Sequence, residues 1–176
     1  MTDLELAEKA RHGDRNAFRQ LLERHYDSVY RVALRFTGSA PDAEDIAQDV
    51  CLMLVDKLHS FRGESRFSTW LYRVVINACR DHLRLRRAAE ALHSNYAVLS
   101  ELEHADHLDD ATRLGWLSEA IAALELTLRE TAVLVLGEDL SHREAAAALG
   151  CAESTISWRM HEVRKKLRTL METDHD

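Results

Sequence analysis

One proline and six glycines are spread over 176 residues. So few turn-forming residues exclude a fold of many short strands, because each hairpin or sandwich turn draws on them, and no stretch sustains the period-two alternation of a half-buried strand. Three cysteines, Cys51, Cys79 and Cys151, are odd in number, widely spaced and without a CxxC pair. Neither a disulfide framework nor a zinc knuckle is expected from them; they read as small buried residues. No apolar run approaches the roughly 18 residues that a bilayer span needs. The stretch Met1 to Glu8 carries Asp3, Glu5 and Glu8 where a leader would be apolar, so a cytoplasmic protein without direct membrane contact is expected. Aromatic residues make up only 6% of the chain, which makes their clustering in one place informative.

What is present is charge with a pattern. The net charge is −7, but the balance is −3 over residues 1–61, +5 over 62–87, −9 over 88–140 and +3 over 141–170. Two basic blocks separated by an acidic one are the arrangement of a protein that touches a polyanion at two places, with a middle that would repel it.

Apolar residues carry the fold class. From Ala17 they recur in pairs four residues apart (Ala17/Phe18, Leu21/Leu22, Val29/Tyr30, Ala33/Leu34), the spacing of a helix with one buried stripe, ending at Thr37-Gly38-Ser39. Ser39 is placed to cap a second helix with Pro41 just inside it and Ile46, Val50, Leu54 and Leu58 buried. Ser68 or Thr69 is placed to cap a third. Between about Ala88 and Asp110 the periodicity fades; a further helical unit begins near Ala111, with Leu114, Leu117, Ile121 and Leu124 on one face and Thr127 and Glu130 at capping-box spacing. The expectation is an all-α protein of two small helical domains, residues 1–87 and 111–176, on a flexible linker, 88–110.

The segment FRGESRFSTWLYRVVINACRDHLR, Phe61 to Arg84, sets five arginines and four aromatic residues against only two acids. On its helix, Leu71, Val75, Ala78, His82 and Leu85 step by four and three toward a core, while Arg73, Asn77, Arg80, Arg84 and Arg87 keep the same rhythm two positions on. Two residues turn a helix by about 200°, so the second set is a stripe on the opposite face. In the preceding loop Phe61, Phe67 and Trp70 flank Arg62, Gly63 and Arg66; rings beside guanidinium groups are what unstacked bases bind, although Phe67 or Trp70 also suits a core.

The stretch SHREAAAALGCAESTISWRMHEVRKKLRTL reads as a helix capped by Ser141, a left-handed turn at Gly150 and a second helix from Glu153 or Ser154 with Ile156, Met160, Val163, Leu167 and Leu170 buried. This is the outline of a helix-turn-helix. Thr155, Ser157, Trp158, Arg159 and His161 would meet base edges, and Arg164, Lys165 and Arg168 phosphates.

DAEDIAQDV, then the Phe61–Arg84 segment, then LSHREAAAALGCAESTISWRMHEVRKKLR resemble, in order and spacing, regions two and four of the extracytoplasmic-function branch of the bacterial sigma-70 family. The resemblance implies a promoter-specificity subunit without catalytic residues, metal or cofactor, which joins core RNA polymerase and helps to melt DNA. It implies that Asp45, Gln48 and Asp49 dock on the beta-prime clamp helices and that region four meets the beta flap. It further implies that the Phe61–Phe67 loop captures a flipped minus-ten base, that Asn77, Arg80 and Arg84 contact that element, and that Thr155 to Arg159 begin the minus-thirty-five reading helix. An anti-sigma partner, of the zinc-containing or membrane-bound kinds, is implied as well. Ser157, Trp158 and Glu162 depart from the common pattern, as does LRETAVLVLGEDLS, which lacks the usual arginine and tyrosine.

Two other readings remain open at this point. A regulator that binds duplex DNA by itself explains the helix-turn-helix but leaves the aromatic loop and the basic stripe idle. A metal-dependent hydrolase would use His93, His104 and His107, yet no HExxH frame supports them.

Overall fold

No helix is expected before Ala17 from apolar spacing alone, yet α1 occupies Asp3–Arg11 in the computed structural model, which describes residues 1–94 and 114–173. Its signal is a cap: Glu5 N donates to Thr2 Oγ1 at 3.3 Å and Thr2 N to Glu5 Oε2 at 2.8 Å, a reciprocal pair that satisfies two otherwise orphaned donors. Leu6 and Ala7 then bury completely.

Helix α2 (Arg15–Thr37) starts from Asp14, whose Oδ1 accepts from Asn16 N at 2.9 Å and Ala17 N at 3.0 Å, and ends where Gly38 turns left-handed at φ 69°. Its stripe of Ala17, Leu21, Val29 and Ala33 is buried, joined by Val32 and Phe36. Helix α3 (Ala40–Lys57) is capped by Ser39, carries Pro41 in its first turn and buries Ile46, Val50 and Leu54, with Leu58 following in a short 3-10 turn. These elements follow the expected spacing closely.

Helix α4 differs at both ends. It spans Phe67–Ser94, starting before the expected cap at Ser68 or Thr69 and continuing well past Arg87 into the stretch expected to be linker. Leu71 and Val75 are buried, but Leu85, expected on the core stripe, is exposed; between Leu83 and Leu92 Arg86 alone is half-buried.

The second unit comprises α5 (Leu114–Ala122), α6 (Leu126–Ala132) running into a π-helical turn at Val133–Gly137, α7 (His142–Leu149) and α8 (Glu153–Thr173). The capping box expected from Thr127 and Glu130 does not form. The residue before α6 is Glu125, which makes no capping bond, and Glu130 points elsewhere. The box in this unit is Ser141 with Glu144, at 3.2 Å and 3.0 Å. Among the described residues there is no strand.

The two units lie against each other. Helix α4 packs on α7, and α2 packs on α5 and on the π-helical turn. One continuous buried cluster runs from Phe36, Ile46 and Leu71 to Leu128, Leu134 and Ile156. Arg129 of α6 seals the seam, donating to the Phe36 carbonyl at 3.3 Å with its guanidinium 5.5 Å from the Phe36 ring centroid. Burial, and secondarily Arg87, depress the pKa of that guanidinium.

Candidate nucleic-acid interface

The loop before α4 is pinned at both ends by aromatic residues. Phe61 and Phe67 meet edge to face with centroids 5.4 Å apart; Trp70 lies 5.3 Å from Phe61 and 5.5 Å from Phe67, and His25 of α2 adds a fourth ring 5.1 Å from Phe67. Both phenylalanines are buried. This corrects the expectation that their rings stand ready to stack on bases: each gains more by burying its large apolar area against the other rings than it could in an exposed loop. Arg11 holds the loop from α1, donating to the Phe61 carbonyl at 3.3 Å. Gly63 is required at its bend, because its φ of 73° strains any side chain and a Cβ there would lie 3.0 Å from Leu4 Cδ1.

What remains for a ligand is Trp70, half-buried at the edge of a cleft of about 450 Å3. Lys57, Arg62, Arg73 and Asn77 stand around it, and Ala147 of α7 forms part of the wall. Glu64 shares the rim, and the indole edge with Lys57, Arg62 and Arg73 beside it is a fit for a base with its phosphates. Arg62 and Arg66 of the loop and Asn77 and Arg84 of the stripe are exposed; Arg84 makes a surface pair with Asp81 at 3.0 Å and Arg66 one with Glu144 at 3.3 Å.

Two arginines of the stripe are occupied, which the sequence reading does not anticipate. Arg80 donates bidentately to Glu130, Nε to Oε1 at 2.5 Å and Nη2 to Oε2 at 2.6 Å, and its Nη1 donates to Asn77 Oδ1 at 3.0 Å. Glu130 is 1% exposed. The hydrogen bonds that Arg80 donates to that carboxylate raise its pKa. Arg73 caps the C-terminal end of α7, donating through Nε to the Ala148 carbonyl at 3.2 Å and through Nη2 to the Ala147 carbonyl. A helix C-terminus carries partial negative charge, so the second unit neutralises Arg80 through Glu130 and partly offsets the charge of Arg73.

A third anchor lies at Glu138, to which no motif in the sequence points. Glu138, with 5% of its side chain exposed, accepts from Arg31 Nη2 at 3.2 Å, Arg35 Nη1 at 2.6 Å and Tyr72 Oη at 3.0 Å. Burial, with Glu138 adding to it, pushes the Tyr72 phenol up to about 12. Gly137 fits beside it because a Cβ would meet Arg35 Cδ at 3.0 Å, and its carbonyl accepts from Arg35 Nη1 at 2.6 Å. The available signal was the charge pattern: Glu130 and Glu138 belong to the acidic block taken above to repel DNA.

The helix-turn-helix forms as expected. Gly150 turns at φ 68°, Ala145 and Ala148 are buried on α7, and Ile156, Met160 and Val163 are buried on α8. Leu167 is half-buried, while Leu170 lies outside the core. Ser157 donates to the Glu153 carbonyl at 3.2 Å and sits 2.9 Å from His142 Nδ1. Trp158 is 61% exposed beside it; Thr155 and Arg159 are half-buried, and His161, Arg164, Lys165 and Arg168 are exposed.

On α3, Asp45, Gln48 and Asp49 form an exposed face. Leu52, 71% exposed, and Val55 extend it, two apolar residues out of the buried register that the sequence reading passed over. Cys79 is buried, and burial with Glu130 nearby pushes its thiol up to about 12. His93, His104 and His107 lie outside the residues whose side chains are described, and among the described residues no group of three or more His, Cys, Asp or Glu is placed to hold a metal. No described helix is long and apolar enough to cross a membrane.

Residues 21–89 match the family described as sigma-70 region 2. The chain is 32% identical over 170 residues to the ECF RNA polymerase sigma factor SigM of Mycobacterium tuberculosis, covering 97% of this chain and 85% of the relative. Its fold is similar to CnrH in a complex with the cytosolic domain of CnrY, with a TM-score of 0.74, 28% identity and 98% of each chain covered. It is also similar to the sigma factor RpoE bound to the anti-sigma factor NepR from Bartonella quintana, with a TM-score of 0.72, 25% identity, and 89% of this chain and 98% of that one covered. The chain belongs to the extracytoplasmic-function branch of the sigma-70 family and is an RNA polymerase sigma factor, not a regulator that acts by itself.

Proposed function

We propose that residues 1–87 form the unit that binds core polymerase and opens the minus-ten element, that 88–110 link it to the rest, and that 111–176 read the minus-thirty-five element. The observation that carries this is the shared face of α4, where Arg73, Asn77, Arg80 and Arg84 lead from the cleft beside Trp70 along one stripe. A melted strand offers phosphates to such a row of cations and an extruded base to the cleft. Opening a few base pairs costs a few kcal/mol, which capture of the exposed strand offsets without ATP. With Phe61 and Phe67 committed to the core, base capture falls to Trp70 and the polar rim, the two phenylalanines acting by holding the loop in shape.

On α8, Ser157 and Trp158 face the base edges with Thr155, Arg159 and His161 around them, and Arg164, Lys165 and Arg168 take phosphates. The face of Asp45, Gln48 and Asp49, with Leu52 and Val55, is assigned to the beta-prime clamp helices: exposed apolar side chains beside acids suit a basic amphipathic partner. The second unit is assigned to the beta flap. We further infer control by an anti-sigma factor, in keeping with the complexes in which the similar sigma factors were found.

The test is run-off transcription by core RNA polymerase on genomic fragments, starting with the promoter of this gene. Transcripts are expected only when the protein is added, and they vanish with Asn77→Ala or Arg84→Ala. Transcripts unaffected by either substitution would remove the α4 assignment.

A further inference from the structure

An acid and a helix end of the second unit occupy two arginines of the α4 stripe. Arg80, on the stripe that the proposed function assigns to the minus-ten element, is gripped by both oxygens of Glu130; Arg73, at the rim of the cleft, is gripped by two main-chain carbonyls at the end of α7. Ala147, from that same helix end, is part of the cleft wall. A few residues away, Glu138 fills a socket made by Arg31, Arg35 and Tyr72, none of them on the DNA-facing stripe. The three contacts join the same two units, alongside the apolar seam that also joins them.

We infer that the chain is self-latched. Its acidic block works as an internal mimic of the DNA backbone, with Glu130 and the α7 carbonyls occupying the two arginines of α4 and Glu138 as the anchor that keeps them there. Tethered acids act at the high local concentration of an intramolecular ligand, so a free strand must compete with them before it reaches Arg73 and Arg80. The free protein then binds its minus-ten strand more weakly by the fraction of time the latch is open. The acidic middle, which by charge alone would only repel DNA, is complementary to the chain's own basic stripe. Pulling the second unit away, as engagement of two separate promoter elements requires, exposes the stripe at the moment it is needed.

This inference rests on the α4 reading above, and the test separates the two. Two variants open the latch from opposite sides: Glu130→Gln with Glu138→Gln on the acidic side, and Arg35→Ala with Tyr72→Phe on the socket side. Each full-length protein is checked for helicity by circular dichroism, and if one fails to fold the other decides. Small-angle X-ray scattering reads the radius of gyration. Fluorescence anisotropy reads binding to a fluorescein-labelled single-stranded oligonucleotide of mixed sequence. A compact wild type, expanded variants and about tenfold tighter binding that is lost when Arg73→Ala and Arg80→Ala are added are the expected results. Variants that stay compact, or that expand with no gain in binding, overturn the latch. Expansion with a gain that survives loss of Arg73 and Arg80 supports opening and overturns instead the placement of the strand on α4.

Discussion

Helices α4 and α8 carry the same kind of signal, a basic face along a long helix whose other face is core, and the structure treats them in opposite ways. On α8, Arg164, Lys165 and Arg168 stand in solvent. On α4, Arg80 is closed onto a buried carboxylate and Arg73 onto a helix end. A stripe of one sign shows that a helix face has a polyanionic or acidic partner; whether that partner is DNA or the chain itself depends on where the other acids fold.

The sharpest way to break this contrast is to remove a cation from each helix. Arg80→Ala leaves the buried Glu130 without its partner; because Arg80 itself is 38% exposed, the expected loss is about 1–3 kcal/mol in urea unfolding at pH 7. Arg164→Ala, on an exposed face, is expected to change stability by less than about 0.5 kcal/mol. Equal costs would mean that the two helices are not differently engaged.

Salt dependence sharpens the same contrast with a smaller effect. For the free protein on duplex DNA, Arg164→Ala or Lys165→Ala should each reduce the slope of log affinity against log salt by about 1, because each releases one fewer counterion. Arg80→Ala should leave that slope unchanged, since its charge is already neutralised by Glu130. A drop for Arg80→Ala would place that side chain on DNA even without polymerase.

The smallest effect lies at high pH, at the socket. The folded protein holds the Tyr72 phenol neutral up to about 12, against an ordinary value of 10.0. A group raised on folding contributes stability that is fully present below its unfolded pKa and lost as pH climbs through the folded one. Unfolding free energy should therefore decline between about pH 10 and 12, with a shallower decline for Tyr72→Phe, measured by urea titration across that range. Cys79, buried and also raised to about 12, contributes in the same direction in both proteins and so cancels in the comparison.

What could be read from the sequence and what could not divide along the same line. The stripes of α2 and α3, the Ser39 and Ser141 caps, the Gly38 and Gly150 turns and the whole helix-turn-helix rest on neighbours three or four residues apart, and they appear where the spacing puts them. Thr2 with Glu5 was an equally local signal for α1, missed because that helix buries little beyond Leu6 and Ala7. Long-range contacts were not legible. Phe61 and Phe67 look the same whether they wait for a base or pack on Trp70 and His25, and Glu130 has the spacing of a cap whether or not Arg80, fifty positions away, claims it. In the candidate site, the exposure of Arg62, Arg66, Asn77, Arg84, Trp158 and Lys165 follows from pattern alone, while the acid on Arg80 lies in the stretch that charge counting assigns to a repelling block, and the helix end on Arg73 is main chain, which charge counting does not see.

The most direct measurement places a photo-crosslinking benzoylphenylalanine at position 65, exposed at the rim of the cleft that Arg73 and Asn77 of α4 also line, and irradiates the protein with a promoter fragment in the presence and absence of core RNA polymerase. The account predicts crosslinks to the minus-ten strand with polymerase and almost none without it. Crosslinks of equal strength from the free protein, or none in the polymerase complex, would contradict the claim that α4 exchanges the chain's own acids for the melted promoter.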